Sequence, residues 1–144
     1  MRLVTREQIV ALLARRNAAW AARDTASLAA MHAPHGTVAS PTGGVLEGRD
    51  EIARVYNLWF SAFPDLVMRD DGAIIDGGRA VQILRFSGTH AGEFFGLPPT
   101  GRRVEVLIAS VLTLADGLIA DERRIYDFTG LLVQVGVLKA KPVA

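Results

Sequence analysis

The 144-residue chain contains no cysteine and only three histidines, at positions 32, 35 and 90. Without cysteine it can form neither disulfides nor thiolate metal sites, and it has no cysteine nucleophile. His32 and His35 are close in sequence, but Pro34 separates them and no carboxylate follows at a spacing typical of metal ligands. We therefore expect no metal site.

The chain also lacks an excess of either charge and any long apolar run. Its 16 Lys and Arg balance 15 Asp and Glu, which leaves a formal net charge of +1 and argues against a nucleic-acid partner. The longest uncharged apolar stretch, 106–115, is far shorter than the about 20 residues that a membrane-spanning helix needs. The first residues show no apolar run before a small-residue cleavage site. These absences predict a cytoplasmic protein that enters no membrane.

Apolar residues make up 50% of the chain, which is enough for one sizeable core. No linker, internal repeat or low-complexity tract divides the sequence. We expect a single domain over residues 1–138, followed by a short C-terminal tail over residues 139–144.

The first half of the chain carries helix signals. Thr5 and Gln8 form a capping-box pattern. Apolar residues at helical spacing follow, namely Ile9, Leu12, Leu13, Ala19 and Trp20. We expect Arg15, Arg16 and Arg23 on the polar side of this helix.

Two further helices are predicted before the midpoint of the chain. A short one runs from about Asp24 to Met31, and Pro34 ends it. Residues 35–44 are expected to form a loop with a short extended piece. The next helix opens at 48–50, ends at Pro64 and carries one strong apolar stripe, formed by Ile52, Val55, Tyr56, Trp59, Phe60 and Phe63.

The second half of the chain has the pattern of strands, over residues 66–75, 80–88, 104–114 and 118–126. Turn signals separate them at Asp76-Gly77-Gly78 and at Asp116-Gly117. Residues 90–103 read as a long connection, and residues 128–135 as a short helix or turn that Asp127 caps. Helices followed by strands indicate an α+β fold, in which a curved antiparallel sheet wraps around the helices and leaves a cavity between them.

Three segments resemble a known family. They are residues 63–66 (FPDL), residues 88–103 (GTHAGEFFGLPPTGRR) and residues 126–136 (YDFTGLLVQVG), with Asp116-Gly117 before the last of them. Their order and spacing are similar to those of the SnoaL-like polyketide cyclases, over nearly the whole chain.

This resemblance implies a cone-shaped α+β barrel of the nuclear transport factor 2-like superfamily. It implies a mostly apolar enclosed cavity, no cofactor and no metal, and commonly a homodimer formed through the outer face of the sheet. The best-known activity of the family closes a ring in an aromatic polyketide ester. There an Asp on the last strand takes the proton next to a carbonyl, and a His and a Gln on the neighbouring strand help to hold the enolate.

The sequence departs from this family pattern at all three polar positions. The family's Asp aligns with Arg124, its His with Ser110 and its Gln with Ile108. Arginine stays protonated at neutral pH and cannot act as a general base. The polyketide cyclisation mechanism therefore does not carry over, although the fold and its cavity do.

Strand alternation places Glu122 on the same face as Ala120, Arg124 and Tyr126, and Ser110 on the same face as Ile108. One interpretation makes Glu122 the proton acceptor, with Arg124 binding an enolate or a carboxylate. The alternative is a structural ion pair that closes the cone.

The candidate catalytic residues are thus Glu122, Arg124, Ser110 and His90. His90 is interpreted either as a proton shuttle at the mouth of the cavity or as a hydrogen-bonding residue of its loop. We expect these side chains to contact the substrate: Tyr56, Trp59, Gln82, Phe86, Ile108, Tyr126 and His32. For Tyr56 and Trp59 the alternative is a place in the core, and for His32 an exposed turn.

Three functions are compatible with these features. The first is a cofactor-independent enzyme that cyclises, isomerises or dehydrates a small apolar carbonyl compound. The second is a non-catalytic binder of a small apolar acid, anchored by Arg124, and the third is a dimerisation module with a filled core. We favour the first, and we expect a homodimer whose contact face includes Val81 and Ile83 beside Arg85.

Overall fold

The computed structural model describes residues 3–139, and this part of the chain forms an α+β fold. Its elements in chain order are α1 (Arg6–Ala22), α2 (Thr25–Ala30), β1 (His32–Ser40), β2 (Gly44–Glu47), α3 (Arg49–Ala62), β3 (Val67–Asp76), β4 (Arg79–Thr89), β5 (Arg103–Ala115), β6 (Leu118–Ile125) and α4 (Phe128–Gln134). None of these helices is long and apolar enough to cross a membrane. Apart from Lys139, the expected C-terminal tail lies outside the described residues.

The strands form one curved, open sheet in the order β2-β1-β6-β5-β4-β3. Four of the five neighbouring pairs are antiparallel, but β1 and β6 run parallel. The sheet is therefore antiparallel, as the sequence predicts, except at this one pair. The two strands are far apart in sequence, so their direction depends on the path of all the chain between them.

Helix α1 begins as the sequence predicts. The Thr5 side chain accepts a hydrogen bond from the backbone N–H of Gln8, and the Gln8 side chain accepts one from the N–H of Thr5. Its buried face differs from the prediction, however, because it includes Arg16. The placement of Arg16 on the polar side of the helix is therefore wrong.

The region between α2 and α3 holds more strand than the sequence predicts. Residues 32–40 form β1 in place of a turn and loop, and residues 44–47 add β2. Pro34 and Gly36 lie inside β1, where the pairing with β6 shifts its register between His32 and Thr37. The strand pairs with β2 on one side and with β6 on the other. The residues of β1 alone do not predict this pairing, because the propensity for strands depends on the neighbouring strands.

The two predicted hairpin turns are confirmed. At the turn between β5 and β6, Asp116 and Gly117 both have positive φ, of 55° and 77°. This geometry matches the right-handed twist of the flanking strands and favours Asp-Gly. The turn pairs Ala115 with Leu118, and a one-residue irregularity between Thr113 and Leu114 then shifts the register so that Ser110 pairs with Arg124.

The concave face of the sheet carries the site. Alternate residues of β4 and β5 are buried against the helices, including Gln82, Leu84, Ile108 and Ser110. On β6, Glu122 and Arg124 point the same way, whereas an irregularity in the pairing around Leu114 puts Ile119 rather than Ala120 on this face. The predicted faces are confirmed except at Ala120.

Candidate active site

Glu122 lies at the centre of a buried polar cluster on the concave face. It is fully buried. Its Oε2 atom accepts hydrogen bonds from Arg16 Nη2 at 2.6 Å, from Ser110 Oγ at 2.5 Å and from Arg124 Nε at 3.2 Å. Its Oε1 atom accepts one bond, from Arg124 Nη2 at 3.2 Å. Oε1 therefore keeps more acceptor capacity than Oε2.

Two guanidinium groups flank this one carboxylate. Arg16 reaches it from α1 and Arg124 from β6, with 1% and 8% of their surfaces exposed. The Arg124 guanidinium also lies 4.8 Å from the centre of the Tyr56 ring, a cation–π contact. The predicted pairing of Glu122 with Arg124 is present, and Arg16 is added to it.

The two arginines determine the charge of Glu122. Burial alone would raise the pKa of Glu122, but the charges of Arg124 and Arg16 outweigh it and hold the pKa well below its usual range. The same interaction raises the pKa of Arg124 against the effect of its own burial. The cluster therefore holds one carboxylate and two guanidiniums in their charged forms.

A chain of hydrogen bonds orients Arg16 from the surface inwards. Asn17 Nδ2 donates to Asp70 at 2.7 Å, Gln82 Nε2 donates to Asn17 Oδ1 at 2.8 Å, and Arg16 Nη1 donates to Gln82 Oε1 at 2.8 Å. Arginine only donates hydrogen bonds, so its bond to Gln82 Oε1 determines the orientation of both amides. Gln82, expected to contact substrate, instead holds Arg16.

His32 and Tyr56 form a second layer behind the carboxylate. His32 Nε2 lies 2.9 Å from the Tyr56 hydroxyl and 3.8 Å from Glu122 Oε1, and its Nδ1 has no hydrogen-bond partner. Burial lowers the pKa of His32 to about 4; Glu122 opposes this shift and Arg124 adds to it. His32 is therefore neutral at pH 7.

This shift predicts that acid weakens the fold through His32. The unfolded chain takes up the proton near pH 6.5 and the folded chain only near pH 4. Above pH 6.5 His32 should therefore not lower the free energy of unfolding. As the pH decreases from 6.5 to 4, the free energy of unfolding should fall by up to about 1.4 kcal/mol per pH unit. Urea unfolding at several pH values would measure it. His32→Gln should flatten this part of the profile and the exposed control His35→Gln should not; equal slopes in all three proteins would contradict the prediction.

The cluster borders a small cavity between α1, α3 and the sheet. Its volume is about 10 Å³, and it is lined by Arg16, Trp20, Trp59, Met68, Leu84, Ile108, Ser110, Glu122, Arg124 and Tyr126. This space holds about one water molecule. The expected cavity thus has the predicted lining at Trp59, Ile108 and Tyr126, but its side chains nearly fill it.

The aromatic residues expected to contact substrate also make contacts within the protein. The Tyr126 hydroxyl lies 2.6 Å from Thr42 Oγ1. The ring of Phe86 packs edge-on against Trp59 and Phe63, with ring centres 5.1 and 4.8 Å apart. Tyr56 and Phe86 do not line the cavity, so the core alternative fits Tyr56.

The structure does not bring His90 to the cluster. Its Nδ1 lies 3.0 Å from Thr100 Oγ1, its backbone pairs with Gly101 and Arg102, and its ring packs against Phe63. These contacts hold the long loop between β4 and β5 closed. They fit the interpretation of His90 as a hydrogen-bonding residue of its loop.

The similarity of the chain to known proteins agrees with this architecture. Residues 11–135 match the family described as SnoaL-like polyketide cyclase. The chain belongs to this family. No curated protein sequence gives a significant match. The family assignment therefore rests on a match that covers the sheet, all of the helices except the first turn of α1, and every residue of the cluster.

Solved structures show the same SnoaL-like fold. A proposed SnoaL-like polyketide cyclase from Jannaschia sp. CCS1 superposes with a TM-score of 0.83 at 24% identity, covering 92% of this chain and 94% of that one. TsrD from Streptomyces laurentii gives 0.82 at 28% identity, over 94% and 99% of the two chains. AclR, a proposed hydroxylase from Streptomyces galilaeus, gives 0.80 at 26% identity, over 94% and 85%.

Within this SnoaL-like fold, Arg16 is the site residue that the sequence reasoning missed. A signal for it existed, because Arg16 follows Ile9 by seven residues and Leu12 by four, which is the spacing of the buried stripe. Its charge argued for the surface, and the carboxylate that neutralises it is supplied by β6.

Among residues 3–139, no three His, Asp or Glu side chains come together as metal ligands would.

Proposed function

We propose that the protein is a cofactor-independent enzyme that moves a proton next to the carbonyl of a small apolar compound, in a cyclisation, isomerisation or dehydration. One observation carries this proposal: an ionised carboxylate and two guanidiniums are buried together against an apolar cavity. Burial strengthens their electrostatic effect on a bound carbonyl group.

Glu122 is the proposed proton acceptor. The C–H bond next to the carbonyl breaks, the proton moves to Oε1 of Glu122, and the electron pair passes to the carbonyl oxygen as an enolate. Oε1 suits this step because it carries a single hydrogen bond in the resting site. Arg124 stabilises the enolate oxygen, since its charge is permanent and it already lies beside the cavity.

The low pKa of Glu122 restricts the substrates that this chemistry suits. A carboxylate with a lowered pKa is a weak base, so the proton it removes must be acidic. A C–H group flanked by carbonyls, or one whose carbonyl bonds to an arginine, meets this requirement.

Substrate access requires a wider cavity than the resting one. Small-molecule sites typically enclose about 300–1,000 Å³, far more than the about 10 Å³ present. Met68 is the lining residue best placed to move, because it is only half-buried and lies on the edge strand β3. Its unbranched side chain adapts easily to a new shape.

The filled cavity also favours a second candidate, a non-catalytic domain in which Glu122, Arg16 and Arg124 only join α1 to the sheet. Hydrogen exchange distinguishes the two. For an enzyme, the methyl protons of 2-acetonaphthone should exchange with D₂O faster in the presence of the protein, as followed by proton NMR. The double variant Arg16→Met/Glu122→Gln, which keeps the formal charge of the cluster, should lose this acceleration. If the wild-type protein accelerates exchange in neither 2-acetonaphthone nor its carboxylated analogue 6-acetyl-2-naphthoic acid, the non-catalytic domain is favoured.

We also propose a homodimer that buries the convex face of the sheet. Ile83, Ala109 and Ile125 lie side by side on this face, and Leu107 beside Arg85 extends it. Leu107 and Ile125 are more than half exposed, and two-fold pairs are the commonest oligomers. Sedimentation should give twice the chain mass, and Ile125→Lys should shift it to the monomer; a monomeric wild-type protein would contradict this.

The cytoplasmic location expected from the sequence stays a prediction.

A further inference from the structure

The buried cluster carries one more positive than negative charge. Arg16 and Arg124 are both buried, and Glu122 is the one carboxylate that is buried among residues 3–139. The other titratable groups close to it stay neutral at pH 7: burial lowers the pKa of His32 and raises the pKa of Tyr56 and of Tyr126. Asp70 lies two amides away at the surface.

Two of the residues that line the cavity each have a buried hydrogen-bond donor without an acceptor. Arg16 Nε and Trp20 Nε1 are buried without a hydrogen-bond partner, and both residues line the cavity. Buried donors of native proteins nearly always have partners. A ligand that brings acceptor oxygens would satisfy both.

The net charge of the occupied site depends on the charge of the substrate and stays the same through the proposed proton transfer. With a neutral ketone the site carries one excess positive charge before proton transfer and after it, because the charge that Glu122 loses appears on the enolate. With a substrate that carries one carboxylate, the two arginines balance Glu122 and that carboxylate at the start. They balance the enolate and the carboxylate after the transfer.

From this count we infer that the substrate binds as a monoanion, a keto acid whose carboxylate is held by Arg16, rather than as the neutral ester that the family's best-known reaction uses. The inference rests on the proposed function for the carbonyl chemistry. The binding preference itself follows from the resting cluster. Planar apolar skeletons fit best, because the flat rings of Trp20 and Trp59 both line the cavity.

Equilibrium binding of three matched compounds tests this inference. 2-Naphthoic acid, methyl 2-naphthoate and 2-naphthamide share one ring system, and only the acid is charged at pH 7. Calorimetry or fluorescence titration should show the acid binding at least about tenfold more tightly than the amide. Arg16→Met should bring the acid-to-amide ratio close to one. Arg15→Met, an exposed neighbour on the same helix, should leave the ratio unchanged.

Further variants keep the test decisive. Arg16→Lys retains the charge and should retain a preference for the acid if Arg16→Met does not fold. Trp20→Phe removes one unpartnered donor and should weaken acid binding more than ester binding. Equal affinities of the wild-type protein for acid, ester and amide would overturn the monoanion inference and leave the proposed function standing. Binding of none of the three would overturn both.

Discussion

Replacing Glu122 with Gln should lower the free energy of unfolding by about 3–5 kcal/mol, because it leaves two buried guanidiniums without a counter-charge. Arg16 and Arg124 both make their ion pair with this one carboxylate. The Gln side chain is nearly the same size, so packing changes little. The loss would come from the charge.

Urea unfolding, followed by circular dichroism, measures this loss. Glu105→Gln is a matched control, since Glu105 is an exposed residue of the neighbouring strand β5, and it should change stability by less than about 0.5 kcal/mol. Adding Arg16→Met to Glu122→Gln removes one of the unpaired cations and should restore part of the stability. A cost below about 1 kcal/mol for Glu122→Gln alone would show that the cluster tolerates its charge without the carboxylate.

Replacing Arg124 with Met should slow the catalysed exchange of 2-acetonaphthone by about 100- to 1,000-fold, the effect of removing one donor from an oxyanion site. The fold should persist, because Arg16 and Glu122 remain as a balanced pair. The loss should fall mainly on kcat, since the enolate charge that Arg124 stabilises develops in the transition state.

Arg123→Met provides the control for this prediction. Arg123 is the adjacent residue of β6, but it faces outwards with 71% of its side chain exposed, and its loss should leave the exchange rate unchanged. If Arg124→Met exchanges as fast as the wild-type protein, Arg124 has no role in the chemistry and serves only as the counter-ion of Glu122.

Local signals predicted the parts of the fold that local interactions decide. The capping box of α1, the apolar stripe of α3, and the Asp-Gly turn between β5 and β6 were all visible in the sequence and are present. Alternation along β4, β5 and β6 also gave the inward-facing residues except at Ala120, so the pairing of Glu122 with Arg124 could be predicted.

The parts that could not be predicted depend on distant partners. Strand β1 contains Pro34 and Gly36, which argue against a strand, and it exists because β2 and β6 pair with it. Arg16 is buried because β6 supplies Glu122 and β4 supplies Gln82. Locally, the residue types of β1 disfavour a strand and the charge of Arg16 disfavours burial. In both cases a partner that is distant in sequence makes the disfavoured state stable.

The ion pair between Arg16 and Glu122 also bears on the order in which the chain folds during synthesis. The two residues are 106 positions apart, so Arg16 leaves the ribosome long before its counter-charge does. A chain that has not yet reached β6 would have to bury an unpaired cation in order to dock α1 on the sheet, which is strongly unfavourable. The first helix should therefore stay undocked until the last strand is made, and until then the apolar face of α1 stays exposed on the nascent chain.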